Sequence, residues 1–329
     1  MRDTISLSHG NGGYHMRTLI RDMFSRKFGT SLAMDYDSAV LTVSERIAVT
    51  TDTFTVKPLF FNGGDIGKLA VCGTVNDLVV SGAQPNYLTC ALVIEEGFSI
   101  AELGRIIDSM ASEAKANDVS IVTGDTKVVP KHEADGIFIN TTGIGVFNDA
   151  PIRGVMKEGD AIIVTGDIGR HGAAILAHRE GHRLSTTLAS DAASLLPLMN
   201  VLSPFRNSIR VMHDPTRGGL AQTIHEFITA SGTGVTLESD AIPIAEPVRG
   251  ICELFGFDAL YLACEGRAVM AVDADAADEI VSSLRKHPLG REAARIGTAT
   301  PEKKLLMAMP YGVRRQIEEL GETPLPRIC

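Results

Sequence analysis

Residues 62–85 read NGGDIGKLAVCGTVNDLVVSGAQP. Over 66–81 apolar residues return every three or four positions, a spacing that predicts a helix. Asp77 lies inside that apolar run with Asn76 beside it. A carboxylate there is costly to bury unless something pairs with it, so Asp77 is a first candidate for chemistry. GGDIGKLA has the look of a P-loop, but the spacing of its first glycine is wrong and Leu69 stands where Ser or Thr should hold Mg²⁺. GNGGYH has His15 where a dinucleotide fingerprint needs its last glycine. Neither of those two nucleotide folds is supported.

Outward from this helix, period-2 and helical patterns alternate along the chain. Before and after it, RIAVTTDTF, NYLTCALVIEE, VSIVTGD and IFINTTGIGVF read as strands. Further on, DAIIVTGDI, GVTLES, ALYLACEGRAVMAV and KKLLMAM read the same way. Helices are expected over 100–116, 220–230 and 276–286, with Ser99 as N-cap and Glu102 completing a capping box for the first of these. RRQIEELGE continues a helical pattern that stops at Gly321. The five residues IVTGD occur twice, ending at Asp125 and at Asp167, and each copy reads as a buried strand delivering an Asp into a loop. The polar stretch over 148–159 carries Pro and Gly and places the domain boundary. The expected organisation is therefore α+β, with domains at 1–150 and 151–320 and a mobile Pro-rich tail at 321–329.

A length of 329 residues allows two domains, and 44% hydrophobic with 22% charged residues is ordinary for a globular protein. The longest apolar runs are too short to span a bilayer, and the N-terminus has no apolar signal core, so neither membrane nor secretion is expected. A net charge of −9, without a Lys/Arg cluster, excludes a general nucleic-acid binder. Five cysteines with no CxxC pair argue against structural zinc and fit a reducing cytoplasm. Cys72, Cys90 and Cys264 sit in apolar surroundings as small buried hydrophobes. Cys329 differs, because it is the last residue.

Several groups could carry chemistry. Asp37, Asp52, Asp77 and Asp125 stand beside small residues next to apolar segments, the setting of hard oxygen ligands for Mg²⁺ shared with phosphates. Each alone could be a cap or turn residue. Lys127, two residues past Asp125, strengthens a metal–triphosphate reading. HGNGG, with Gly10, Gly12 and Gly13, could point backbone N–H groups at an anion, or be a flexible lead. In HDPTRGGL, Arg217 could clamp a phosphate or pair with Asp214. Glu265 interrupts an apolar stretch and is either a solvent-facing edge residue or a desolvated base. His171 and His213 each follow a strand, without ligand spacing. The tail TPLPRIC excludes helix and favours an extended arm that could carry its thiol on the order of 20 Å. The terminal carboxylate beside the thiol should disfavour the thiolate.

Taken in order, HGNGG, DSAV, TTDTF, NGGDIGKLAVCGTVNDLVVSGAQP, EEG, VTGDTKVV, HDPTRGGL, LACEGR and the terminal PRIC closely resemble the carbamoyl dehydratase family of hydrogenase maturation, HypE. That family lies within the ATP-using superfamily of aminoimidazole ribonucleotide synthetase and selenophosphate synthetase. The matching stretches run from His9 to Cys329. Asn11 departs from the family's Ser in the glycine loop, which leaves phosphate contact by backbone unaffected.

The resemblance implies a homodimer whose N-terminal domains share a β-barrel, with ATP near the interface, and a sandwich-like C-terminal domain. It implies Cys329, Glu265 and Lys127 as catalytic residues. It further implies ATP contacts at Gly10, Gly12, Gly13, Lys68, Asn76, Gly124, Thr126 and Arg217, and Mg²⁺ ligands at Asp37, Asp52, Asp77, Asp125 and Asp214. A carbamoyltransferase would load Cys329, ATP would drive dehydration to a thiocyanate, and an iron-scaffold complex would accept the cyanide for [NiFe] hydrogenase. The rival readings are another synthetase or kinase of this superfamily acting on a small molecule, or a thiol-bearing scaffold without catalysis. Selenophosphate synthetase would want a reactive Cys in the N-terminal loop, and the first Cys is Cys72. A prenylation signal needs three residues after the Cys, and none follow.

Overall fold

The computed structural model describes residues 4–10, 14–29, 42, 46–180, 186–320, 325 and 327–329. Near the N-terminus, α1 (Tyr14–Leu19) and α2 (Arg26–Phe28) bracket a π-helical stretch, Ile20–Ser25. Strand β1 (Ile47–Phe54) follows, then the small hairpin of β2 (Phe60–Phe61) and β3 (Gly64–Asp65). Helix α3 (Ile66–Val80) leads to β4 (Gln84–Glu95), α4 (Ile100–Ala116), β5 (Ser120–Val129) and β6 (Ile137–Val146). These make a four-stranded sheet of order β1-β6-β4-β5, parallel only between β4 and β5, which α4 connects.

Helix α3 starts where Asp65 accepts from the N–H groups of Gly67 (2.7 Å) and Lys68 (3.0 Å), relieving two donors that no helical carbonyl can reach. Every residue of α3 except Lys68 and Asp77 is buried, because β1, β6, α4 and α6 (Leu196–Leu202) surround it. An apolar helix without a polar face is what such a position requires. Ser99 caps α4 as expected, its Oγ accepting from Glu102 N at 3.3 Å.

After β6 the chain crosses an irregular segment and enters a second sheet at β7 (Ala161–Val164). Helix α5 (Arg170–Arg179), α6, β8 (Ile209–His213), α7 (Gly219–Ser231), β9 (Gly234–Glu238) and α8 (Glu246–Phe255) follow in turn. Then come β10 (Val269–Val272), α9 (Ala277–Leu284), β11 (Ala294–Thr300), β12 (Leu305–Ala308) and β13 (Arg314–Gln316). The seven strands lie in the order β13-β12-β9-β11-β7-β10-β8. Ile163 and Met270 face one apolar cluster, while Ile162, Val164, Val269 and Ala271 face another. Both faces are covered, which is why AIIV and VMAV read as unbroken apolar runs. No described helix is long and apolar enough to cross a membrane.

The structure corrects three expectations. ALYLACEGRAVMAV is not one strand: Ala259–Tyr261 is a 3₁₀ turn, the chain is irregular around Glu265, and only Val269–Val272 pairs. A side chain on Gly266 would come 2.0 Å from the Asp191 carbonyl, so that close crossing sets a loop there. Arg314–Gln316 is not helical but an edge strand pairing antiparallel with β12. Asp125 does not leave its strand, since β5 runs on to Val129; Asp167, in the second copy of IVTGD, does lie beyond its strand.

Candidate functional site

Where the two sheets' domains meet, Asp52 and Phe54 of β1, Gly73 and Asp77 of α3, Asp214, Thr216 and Arg217 before α7, Glu265 and Cys329 line one cleft. Thr50 Oγ donates to Asp77 Oδ2 at 2.6 Å, holding the exceptional carboxylate of α3 toward β1. Burial, then the charge of Asp77, pushes Asp52 up to about 6, with Arg217 pulling the other way. Asp214 is raised well above the carboxylate range by burial and by Asp77 and Asp52. Glu265 is 2% exposed and is raised by burial first, then by Asp214, Asp191, Asp52 and Asp77. Its Oε1 has no hydrogen-bond partner among the described residues. The cleft thus concentrates four carboxyl groups around one guanidinium.

Among the described residues, no three side chains of the metal-binding types stand ready as a ligand group. The donor set nonetheless suits Mg²⁺, which is usually held by one or two carboxylates together with substrate phosphates rather than by a protein cage. Asp52, Asp77 and Asp214 are the residues that would contribute.

Cys329 reaches this cleft because the end of the chain is docked. Its carbonyl accepts from Thr55 N (2.9 Å) and Thr55 Oγ (3.2 Å), and the Arg327 carbonyl accepts from Lys57 N (3.2 Å). The last residues thereby extend β1 like a short added strand. Leu325 and Ile328 are buried. Arg327 binds Asp135, donates to the Thr55 carbonyl at 2.8 Å and lies over the Phe138 ring. Arg179 donates to the Arg327 carbonyl at 2.6 Å, and His171 Nε2 to the Ile328 carbonyl at 2.7 Å. Burial, then the Glu265 charge, pushes the Cys329 thiol up to about 12. The sequence expects the terminal carboxylate to disfavour the thiolate; in the structure the leading causes are burial and Glu265.

The other sequence candidates fall elsewhere. Gly124, Asp125, Thr126 and Lys127 lie on β5, the edge opposite β1. Asp52 aligns with Thr141, Thr141 with Cys90, and Cys90 with Gly124, so three strand spacings, about 14 Å, separate the two edges. Lys127 is exposed there, and the turn Leu7–Gly10 packs against the same strand. Within one chain, the β5 group and the cleft group do not meet. Lys68 points to Glu113, at 3.8 Å. Asn76 is buried and spends its amide internally, donating to the carbonyls of Ala193 (3.0 Å) and Glu265 (3.3 Å) and accepting from Leu195 N (2.8 Å). Gly12, Gly13 and Asp37 lie outside the described residues.

Sequence reasoning missed the supports. Asp191 Oδ2 accepts from the backbone N–H groups of Glu265 and Gly266, each at 3.3 Å. Thr55, Arg179 and Ser190 are equally unremarked, because their roles are contacts made over 19 to 274 positions of sequence. His171 was visible only as a histidine after a strand.

Residues 35–147 match the AIR synthase related protein N-terminal domain, and residues 157–308 the corresponding C-terminal domain. Carbamoyl dehydratase HypE of Escherichia coli (strain K12) is 43% identical over 99% of this chain and all of its own length. The chain belongs to the HypE family. Its members in solved structures superpose closely. A HypE determined in complex with ATP is 40% identical, with a TM-score of 0.93 over 99% of this chain and 100% of its own. The HypE chain of a HypE–HypF complex is 42% identical, with a TM-score of 0.81 over 92% of this chain and 99% of its own.

Proposed function

We propose that the chain dehydrates a carbamoyl group carried on Cys329, using ATP. The observation that carries this is the docked thiol, set in a water-poor cleft with Glu265 and Arg217 on an arm built from the last residues of the chain. A carbamoyltransferase loads the sulfur, a role supported by the HypE–HypF complex of a relative. The amide oxygen is a poor leaving group, so it attacks the γ-phosphorus of ATP, releasing ADP; the nitrogen gives its first proton to solvent, leaving a neutral-nitrogen, S-bound imidate phosphate. The nitrogen then gives up its remaining proton to a base as phosphate departs, and the C–N bond becomes a nitrile. Mg²⁺, which Asp52, Asp77 and Asp214 would hold together with the triphosphate, would supply positive charge to offset the transferring phosphoryl group. Glu265, whose pKa burial raises well above the ordinary carboxylate range, is the base that takes that remaining proton. The product thiocyanate leaves with the arm for an iron-scaffold complex that accepts cyanide.

The ATP half of this reading calls for pairing into a homodimer. The first sheet leaves Val49 59% exposed and Ile47 outward on β1, with Val93 outward on β4. Two such sheets closing face to face and edge to edge would set the β5 group of one chain beside the β1 group of the other, so that Lys127 and Gly124, exposed on β5, would meet the triphosphate held at Asp52 and Asp77, while the buried Thr126 would not. Five unpaired cysteines suit the reducing cytoplasm.

The test is the mass of the C-terminal peptide after incubation with the carbamoyltransferase and its substrates, before and after Mg-ATP. A carbamoyl increment that becomes a cyano increment only with ATP supports the proposal. An unmodified Cys329 with ATP consumed on a small molecule points to a synthetase or kinase instead.

A further inference from the structure

Residues 190–193 touch the Glu265 loop directly and reach the docked arm through His171. Toward the arm, the polarity of each hydrogen bond is determined. The Ile328 carbonyl can only accept, so His171 Nε2 carries the proton that it donates at 2.7 Å. Burial holds His171 neutral, leaving Nδ1 as an acceptor for the Ser190 hydroxyl at 2.7 Å. The Ser190 oxygen in turn accepts from Ala192 N at 3.0 Å. The Phe61 ring meets the imidazole edge-on, with centroids 5.5 Å apart, and fixes its plane.

Toward the Glu265 loop, Asp191 gathers the N–H groups of Glu265 and Gly266, and Ala193 N donates to the Glu265 carbonyl at 3.3 Å. The loop itself is anchored from below. Ser190 N donates to the Asn62 carbonyl at 2.8 Å. Gly63 has φ +98°, and a Cβ there would fall 2.7 Å from the Ser190 carbonyl. Asn62, Gly63, Asn76 and Asp191 thus lock one short loop in place, and that loop holds the Glu265 backbone at one end and, at the other, the His171 ring that grips the peptide bearing Cys329.

We propose that His171, set by Ser190, is the clasp that positions the loaded arm, registering the Cys329 sulfur against Glu265 during dehydration. His171 touches neither sulfur nor carbamoyl group; it acts on the peptide link between Ile328 and Cys329 and is a positioning residue. Loading occurs on the released arm and does not need it. The clasp is indifferent to the load, because it grips a main-chain carbonyl whatever group the sulfur carries.

This inference rests on the proposed function, and two separate readouts keep them apart. The first is the rate at which iodoacetamide alkylates Cys329 in the purified full-length chain, followed by mass of the C-terminal peptide. The second is single-turnover conversion of the preloaded arm with Mg-ATP, alongside the rate of loading. Losing one buried hydrogen bond to the arm should raise the released fraction about tenfold. His171→Leu is expected to speed alkylation about tenfold, slow conversion and leave loading unchanged. His171→Gln, whose amide can donate to the same carbonyl, should restore most of the conversion. Ser190→Ala, a milder change, should give an intermediate increase in alkylation, and serves if His171→Leu does not fold. Alkylation at the wild-type rate in the folded Leu and Ala variants overturns the clasp. Alkylation that responds as stated, with no carbamoyl ever found on wild-type Cys329, overturns the proposed function and leaves the clasp standing.

Discussion

Glu265→Gln separates a neutral buried carboxyl from an ionised one. Glu265 has its pKa raised well above the ordinary 4.5 by burial and by Asp214, Asp191, Asp52 and Asp77. The sign follows from linkage. A carboxyl whose folded pKa is raised contributes its full stability below 4.5, and loses it as pH climbs toward the folded value, because the unfolded chain releases a proton that the native state keeps. Each pH unit within that window lowers stability by about 1.4 kcal/mol. The loss accumulates as pH rises through that window, and Gln removes it. The amide brought in by Gln lacks a partner where Oε1 lacks one, costing about 1–3 kcal/mol, but that cost does not vary with pH. The slope, not the offset, therefore carries the test. Urea denaturation of wild type and variant from about pH 5 upward should show their stability difference shifting in favour of the variant by about 1.4 kcal/mol for each pH unit within the window. Parallel curves would refute the reasoning and mean that Glu265 is already ionised in the resting protein. The same variant should accept a carbamoyl group at the wild-type rate and fail to convert it.

Asn76→Ala strips three internal hydrogen bonds and leaves a buried Leu195 N–H behind, so a loss of about 2–4 kcal/mol is expected in the same denaturation assay. Gly124→Ala places a Cβ 1.9 Å from the Cys90 carbonyl and must push β5 off β4; a cost of about 2–3 kcal/mol and faster amide exchange along β5 are expected. Arg327→Ala removes the Asp135 pair and the bond to the Thr55 carbonyl, so Cys329 should alkylate faster while the melting temperature falls only slightly, the pair being partly exposed.

Local signals were sufficient for most elements. α4 was legible to its ends, because its stripe and its Ser99 cap are both local. α3 was legible as a helix, but its burial on every side was not, since that depends on α6 arriving from the second half of the chain. RRQIEELGE misled because an exposed edge strand pairs along one side only and need not alternate apolar and polar residues. The stretch around Glu265 misled for the opposite reason: its residues are as apolar as a strand, and only the crossing of Asp191 over Gly266 breaks the pairing.

For the site, the sequence alone determined the chemistry-bearing types: an acid in an apolar helix at Asp77, a lone Glu265 in an apolar run, and a terminal Cys329 on a Pro-rich end. Each is anomalous against its immediate neighbours, and that is information a linear chain holds. Only the tertiary structure decided which of them share a cleft. Asp52, Asp77, Asp214, Glu265 and Cys329 converge, while Asp125 and Lys127 stand three strands away, because sheet order is set by pairing and not by sequence distance. It also decided that Asn76 is a pillar and His171 a clasp. Hydrogen bonds between buried groups far apart in the chain form only once the packed core has set their geometry, and they leave no mark on the residues beside them.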